Sequence, residues 1–220
     1  MSEKMKAIKD ELIKAFSTGV SYMMPVVVVG GICLALSLVG GEPVAGKGMV
    51  VTNPFLLNLG AIGSAGLAMM IPVLAAYISY SIAGKPGLTP GLITGFMAST
   101  PLGSEHVVTG FLGAMLLGIL SGYVAKWIKT WKVGKALMPV MPIMIIPIVS
   151  TCIVGMLYLY VLIGPIGAAM KWLVSMLSNM QGSSGIVLGL ILGAMAAFDM
   201  GGPVNKTATA FTLALMAEGI

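Results

Sequence analysis

The residues with the clearest chemical potential lie close together near the carboxyl end of the sequence. Asp199, Asn205 and Lys206 flank the tripeptide Gly201-Gly202-Pro203, which is expected to release backbone groups from a helix. An apolar run precedes this stretch and another, from Thr207 to Ala217, follows it. Two short hydrophobic segments interrupted in this way predict a broken helix near 199–206.

Ionisable side chains at such a break indicate a binding site, because charges within a bilayer are costly. The donors and acceptors of Asp199, Asn205 and Lys206 suit a polyol or sugar, since every hydroxyl group both donates and accepts hydrogen bonds. We therefore predict that substrate contacts come from these three residues and from the backbone of Gly201, Gly202 and Pro203. The alternative is a cytoplasmic loop that carries a surface Asp–Lys pair.

A second polar point, Ser104-Glu105-His106, separates two apolar windows. His106 is the only histidine, so a site with several histidine ligands is excluded. His106 and Glu105 are weaker candidates for substrate binding, gating or proton uptake. The alternative for His106 is a solvated loop residue. No catalytic residue, metal ligand or cofactor is predicted.

The composition requires a membrane to surround these residues. Hydrophobic residues make up 58% of the 220 residues and charged residues 9%, against about 25% in a soluble domain. A cytosolic enzyme, a disordered protein and a nucleic-acid module are thereby excluded. The basic residues are all lysines, so bidentate recognition by arginine is absent and nucleic acid is not an expected partner.

Windows without acidic or basic residues outline the membrane segments, since a spanning helix needs roughly 20 apolar residues. We predict an all-α, polytopic transmembrane bundle with about six spans and an incomplete seventh. The segment 1–16 is expected to be cytoplasmic, and 17–220 to form the membrane domain, truncated at its C-terminus. The windows are 15–41, 48–84, 86–104, 107–125, 136–170 and 172–198.

The lysines predict the orientation, because cytoplasmic loops are enriched in basic residues. Placing the N-terminus in the cytoplasm leaves only Lys47 and Lys171 outside. The expected helices, in alternating directions, are 17–39, 57–83, 88–102, 107–125, 143–163 and 184–198. Two segments are predicted as interfacial amphipathic helices, 126–135 and 165–182; the alternative for 126–135 is a basic loop.

Small residues recur every fourth position on three of these helices and predict close helix packing. Such stripes hold one subunit together or form a sliding or dimer interface. The stripes are Gly87, Gly91, Gly95 and Ser99; Gly110, Ala114, Gly118 and Gly122; and Gly185, Gly189, Gly193 and Ala197. Prolines within apolar windows, among them Pro25 and Pro72, predict kinks.

The stretch Phe198 to Ala208 resembles a motif of the fructose-family enzyme IIC, the membrane permease of the bacterial phosphoenolpyruvate-dependent sugar phosphotransferase system. Three further stretches are similar to the family's first, second and fifth helices. They run from Thr18 to Pro25, from Pro72 to Ala83 with the turn Pro86 to Gly91, and from Pro142 to Val154. The resemblance covers nearly the whole chain.

This resemblance implies a permease that binds a fructose-like sugar and delivers it to a IIB partner for phosphorylation during uptake. It implies IIA and, indirectly, HPr as further partners, a homodimer as the assembly, and the bacterial inner membrane as the location. The permease has no phosphorylation site of its own in this scheme. The rival hypotheses are an ion-coupled secondary transporter with Asp199 as the coupling carboxylate, and a non-transporting scaffold fragment of a larger permease.

Overall fold

The computed structural model describes residues 3–44, 48–102, 108–134, 137–178, 186–187, 189–190 and 192–194. Five helices come first in chain order: α1 (Glu3–Leu38), α2 (Pro54–Ala68), α3 (Met70–Ala83), α4 (Lys85–Ser99) and α5 (Gly110–Ile128). Between α1 and α2, strands β1 (Glu42–Val44) and β2 (Gly48–Val50) form a short antiparallel pair.

A long helical run follows α5. It begins with a π-helical turn at Met141–Ile145, continues as α6 (Ile146–Leu157) and a second π turn at Tyr158–Leu162, and ends with α7 (Ile163–Ser178). Pro142, Pro147 and Pro165 lie along this run. Each proline lacks an N–H donor, and wider π turns are one way for a helix to continue past the missing hydrogen bonds.

The described part of the chain is a helical bundle suited to a membrane. Four stretches are long and apolar enough to cross one: Met5–Leu38, Pro54–Ala83, Gly110–Ile128 and Met141–Trp172. This confirms the predicted polytopic helical architecture. The predicted count of about six spans with an incomplete seventh is not confirmed, and the broken helix predicted near 199–206 lies outside the described residues.

Helix α4 is shorter than a membrane span. Its 15 residues correspond to about 22 Å, against roughly 30 Å of hydrocarbon. It ends because Pro101 disfavours a helical conformation at the residue before it, and Thr100 is extended with φ −110° and ψ 145°. The span predicted at 88–102 is therefore a helix of the same length that begins and ends three residues earlier, and it is too short to cross the hydrocarbon.

Two predictions about helix bounds need correction. The interfacial helix predicted for 126–135 does not form over 126–134, because α5 ends at Ile128 and the chain turns at Lys129 and Thr130; residue 135 lies outside the described residues. The Thr130 hydroxyl donates to the carbonyl of Trp127 at 2.7 Å, which satisfies one of the last helical carbonyls. Residues 165–178 are helical as predicted, but they continue the run from α6 instead of forming a separate segment.

The first helix also begins earlier than expected. It starts at Glu3, inside the segment 1–16, and passes into the first apolar stretch without interruption. Pro25 lies within this helix and does not end it. The cytoplasmic location of 1–16 remains a prediction.

The core of the bundle is formed by α3 packed against α4 and α5 through small residues. A Cβ atom at Gly91 would lie 2.6 Å from the Cβ of Ser79 and 2.7 Å from the carbonyl oxygen of Ala75. On α5, a Cβ at Gly118 would lie 2.8 Å from the same Ala75 oxygen. The first two small-residue stripes therefore pack within one subunit.

Hydroxyl groups join the same helices. Ser79 on α3 donates to the carbonyl of Gly87 on α4 at 2.6 Å, and Thr94 and Ser121 share a hydrogen bond of 3.0 Å between α4 and α5. In a bilayer such contacts replace the hydrophobic drive that water would supply. For the third predicted stripe, a Cβ added at Gly189 or Gly193 would meet no neighbour within 4 Å among the described residues. Gly185 and Ala197 lie outside the described residues.

This packing predicts that Gly91→Ala lowers the free energy of unfolding by about 1–3 kcal/mol, as overpacked cores do. The added methyl group would overlap the backbone of α3, although alanine is normally the better helix former. Thermal unfolding in detergent micelles measures the effect. Gly164→Ala is the matched control, because a Cβ at Gly164 meets nothing within 4 Å. Equal stability of the two variants would contradict the packing.

Candidate functional site

The residues predicted from the sequence to bind substrate all lie outside the described residues. They are Glu105, His106, Asp199, Gly201, Gly202, Pro203, Asn205 and Lys206. Their role therefore stays a prediction. The described residues show instead a cavity beside the last turn of α4 and the contacts that fix the start of α5.

A cavity of about 780 Å³ lies among α1, α2, α3 and the end of α4. Its walls come from the second half of α1, from the junction of α2 and α3, and from the last turn of α4. The lining residues are Val27, Gly31, Leu34, Ala35, Leu38, Leu67, Ala68, Met70, Ile71, Phe96, Ser99 and Thr100.

The cavity lies at a discontinuity between α2 and α3. Met69 separates the two helices, and its N–H contacts the carbonyls of both Ala65 and Gly66, at 3.2 and 3.1 Å. Pro72 lies one turn further on and has no N–H to donate to Ala68. Pro72, which was predicted to introduce a kink, therefore lies beside the break between α2 and α3.

The chemistry of the lining is mainly apolar. Two hydroxyl groups reach it, and both donate to the carbonyl of Phe96, Ser99 at 2.8 Å and Thr100 at 3.0 Å. Each hydroxyl oxygen can still accept a hydrogen bond. Among the described residues, this lining supplies an apolar wall and two acceptors, which is incomplete for a sugar with several hydroxyl groups.

The end of the α4–α5 connection is fixed by a buried hydrogen bond. Thr109, which directly precedes α5, and Tyr158, at the start of the second π turn, share a bond of 2.8 Å, and both side chains are fully buried. A threonine at this position usually caps its own helix, but this hydroxyl contacts Tyr158 instead. Gly110 follows with φ 54°, a conformation that glycine adopts without strain.

At the other end of the bundle, where α4 begins and α5 ends, an ion pair joins α1 to α5. Glu11 forms an ion pair with Lys126 and accepts a hydrogen bond from Tyr123 at 3.2 Å. Lys129 donates to the carbonyl of Ala83 at 3.0 Å, where α3 ends. These contacts tie the first part of α1 and the α3–α4 turn to the end of α5.

The described residues contain no group of three His, Cys, Asp or Glu side chains that could hold a metal ion. Cys33 on α1 is partly buried and Cys152 on α6 is exposed, and neither forms a disulfide. Both lie within stretches apolar enough to span a membrane.

Comparison with protein-family models places the chain. Residues 17–220 match the family model described as "Phosphotransferase system, EIIC". The chain belongs to this EIIC family. The resemblance inferred from the motif at 198–208 and from the first, second and fifth helices is thereby confirmed at the level of the family.

Named relatives of this EIIC chain support the same assignment. The PTS system fructose-specific EIIC component of Haloferax volcanii is 41% identical over 98% of this chain and 60% of its own length. The fructose-like permease IIC component 2 of Escherichia coli (strain K12) is 44% identical over 100% of this chain and 59% of its own. The EIIC chain therefore spans about three fifths of these two relatives. No solved structure matches it significantly.

Sequence reasoning on this EIIC chain missed the pairing of Thr109 with Tyr158. A polar residue before Gly110 was visible in the sequence, but its partner lies 49 residues away. A contact between positions so far apart leaves no periodic signal. The cavity had one signal, Pro72 inside an apolar window.

The buried pair predicts a clear stability effect. Tyr158→Phe leaves the Thr109 hydroxyl buried without its partner, which costs about 1–3 kcal/mol. Thermal unfolding in micelles should show this loss, whereas Tyr160→Phe, at an 82% exposed position, should show none. Removing both hydroxyls, by Thr109→Val with Tyr158→Phe, should cost less than the sum of the single variants. Additive losses would contradict the pairing.

Proposed function

We propose that this chain is the sugar-translocating part of a phosphotransferase permease. It binds a fructose-like sugar and delivers it to a IIB partner, which phosphorylates the sugar during uptake. The family match over residues 17–220 carries this proposal. The names of the relatives point to fructose, since the Haloferax volcanii protein is called fructose-specific.

The IIB and IIA partners are proposed from the components that the names of relatives give. A Vibrio cholerae relative, 43% identical over 96% of this chain, is named a fructose-specific EIIB'BC component. A Bacillus subtilis relative, 36% identical over 96% of this chain, is named a fructose-specific EIIABC component. HPr as an indirect partner, a homodimer and the surrounding lipid bilayer complete the proposed assembly.

The sugar site is proposed at the motif that contains Asp199, Asn205 and Lys206, with backbone contacts from Gly201 and Gly202. Their charges and amide supply directional hydrogen bonds, whereas the described cavity supplies an apolar wall and the oxygens of Ser99 and Thr100. Sites for small molecules commonly combine such a wall with a few polar groups. Glu105 and His106, on the connection that follows α4, are the secondary candidates.

The proposed orientation places the N-terminus in the cytoplasm. The cavity then opens in the outer half of the bundle, because it lies beside the last residues of α1 and α4. Sugar would enter there and reach IIB on the cytoplasmic side. The proposed membrane domain has about six spans and a further incomplete one, with a broken helix near 199–206, in the bacterial inner membrane.

Phosphoryl transfer in this proposal belongs to the partner. The phosphoryl group moves from IIB to a sugar hydroxyl, and the charged product no longer crosses the membrane. The two cysteines of this chain lie within apolar helices, where a soluble donor does not reach them. The chain contributes the binding site and the path.

Uptake of labelled fructose into sealed vesicles that contain phosphorylated IIB tests this function. We expect the label to accumulate inside as sugar phosphate, and only when phosphorylated IIB is present. Asp199→Asn and Lys206→Met should each reduce uptake about 10- to 100-fold, since a hydrogen bond to a charged group contributes about 1.5–3 kcal/mol. The amount of protein in the membrane should not change.

Asp10→Asn and Lys171→Met are the matched controls, because both side chains are exposed and lie away from the motif in sequence. Their uptake should equal that of the parent. Free fructose inside the vesicles without IIB would contradict the permease function, and uptake that collapses with an ion gradient would favour a secondary transporter. Normal uptake by Asp199→Asn would show that the motif is not part of the sugar site.

A further inference from the structure

Three lysines lie at one end of the α3–α4–α5 unit. The Lys129 ammonium donates to the carbonyl of Ala83 at 3.0 Å, and Ala83 is the last residue of α3. Lys85 is the first residue of α4, on the other side of Gly84. Lys85 and Lys129 therefore belong to the same end of the bundle, and Lys132 follows three residues after Lys129.

These lysines carry charge that the described residues do not neutralise. Lys85, Lys129 and Lys132 are exposed. Within the part of the chain that the structure describes, the one ion pair joins Glu11 to the neighbouring Lys126. The N-terminus of α4 adds a positive partial charge at Lys85. These lysines around the α3–α4 turn at Gly84 therefore form an electropositive patch that attracts an anion.

The lengths of the helices place this patch at the edge of the hydrocarbon. The 19 residues of α5 correspond to about 28 Å, close to the thickness of the hydrocarbon core. Helix α5 ends at Ile128 and the apolar stretch Pro54–Ala83 ends one residue before Gly84. Lys85 and Lys129 therefore lie at the depth of lipid headgroups.

Two aromatic rings mark the same depth. Trp127 and Trp131 are 56% and 39% exposed, and their rings pack edge to face with centroids 5.1 Å apart. Tryptophan is enriched where a bilayer meets water, because its ring is apolar and its N–H is a donor. An exposed pair of this kind favours a lipid neighbour over a soluble protein.

We propose that Lys85, Lys129 and Lys132 bind the phosphate of an anionic phospholipid, with Trp127 and Trp131 against its glycerol and upper acyl chains. Ammonium groups bind phosphate oxygens by charge-assisted hydrogen bonds. Basic pockets between transmembrane helices are known places for anionic headgroups. This site is separate from the sugar site and does not depend on transport.

Quenching of tryptophan fluorescence by brominated lipids tests the proposal. The chain has three tryptophans, so Trp172→Phe leaves Trp127 and Trp131 as reporters. Brominated phosphatidylglycerol should be preferred over brominated phosphatidylcholine by about tenfold or more, since each lysine near an anionic surface contributes about fivefold. In the combined variant Lys85→Gln and Lys129→Gln the preference should fall to about fivefold or less, because only Lys132 remains. No sugar or IIB is present.

Lys6→Gln with Lys9→Gln is the matched control, because it removes the same charge from exposed positions of α1. It should keep the lipid preference. Lys85→Arg with Lys129→Arg preserves both charges and should also keep the preference; this variant is measured if the glutamine variant fails to fold. Equal quenching by the two lipids in the parent, or an equal loss in the α1 control, would overturn the proposal. So would loss of the preference in 10 mM inorganic phosphate at constant ionic strength, which would indicate a site for free phosphate.

The alternative ligand for these lysines is a soluble protein, the IIB partner. If the glutamine variant keeps its lipid preference but loses uptake that depends on IIB, the patch binds the IIB partner and the lipid site is excluded. Failure of the sugar-uptake experiment alone leaves the lipid measurement unaffected.

Discussion

Close approach of helix backbones is the constraint on which the described structure depends. Ala75 on α3 meets Gly91 and Gly95 on one side and Gly118 on the other, at separations that leave no room for a Cβ atom. Lipid gives helices no hydrophobic drive to associate, so such contacts and the hydroxyl bonds beside them must supply the stabilisation. Every other feature is arranged around this three-helix unit. The cavity lies at one end of it, and the lysine patch at the other.

The two ends of the unit have different chemistry because the chain is anchored differently at each. At one end, Pro101 ends α4 early beside the cavity, and Thr109 before α5 is bonded to Tyr158. At the other end, Lys129 bonds to the end of α3 and Lys126 pairs with Glu11 on α1. The proposed function uses the first end for sugar entry, and the separate lipid proposal assigns the second end to contact with lipid headgroups.

Much of this architecture was predictable from the sequence, because lipid imposes simple rules on composition. Four of the six apolar windows correspond to the described stretches long enough to cross a membrane, and the spacing of Gly87, Gly91 and Gly95 predicted close packing. The interfacial helix predicted from the lysine spacing of 126–135 was wrong because of local hydrogen bonding. The chain turns at Lys129, and the Thr130 hydroxyl satisfies a carbonyl at the end of α5, so the helix stops there. The residues proposed to bind sugar were readable as a motif, but they lie outside the described residues.

Helices α4 and α5 pack against each other within one subunit, and we expect this packing to persist during transport. Thr94 and Ser121, whose hydroxyl oxygens are 3.0 Å apart, provide the direct test. With Cys33 and Cys152 replaced by serine, Thr94→Cys and Ser121→Cys should form a disulfide within a single chain in membranes, and fructose uptake should persist in the oxidised protein. A disulfide between two chains, or uptake that stops on oxidation and returns on reduction, would contradict the account.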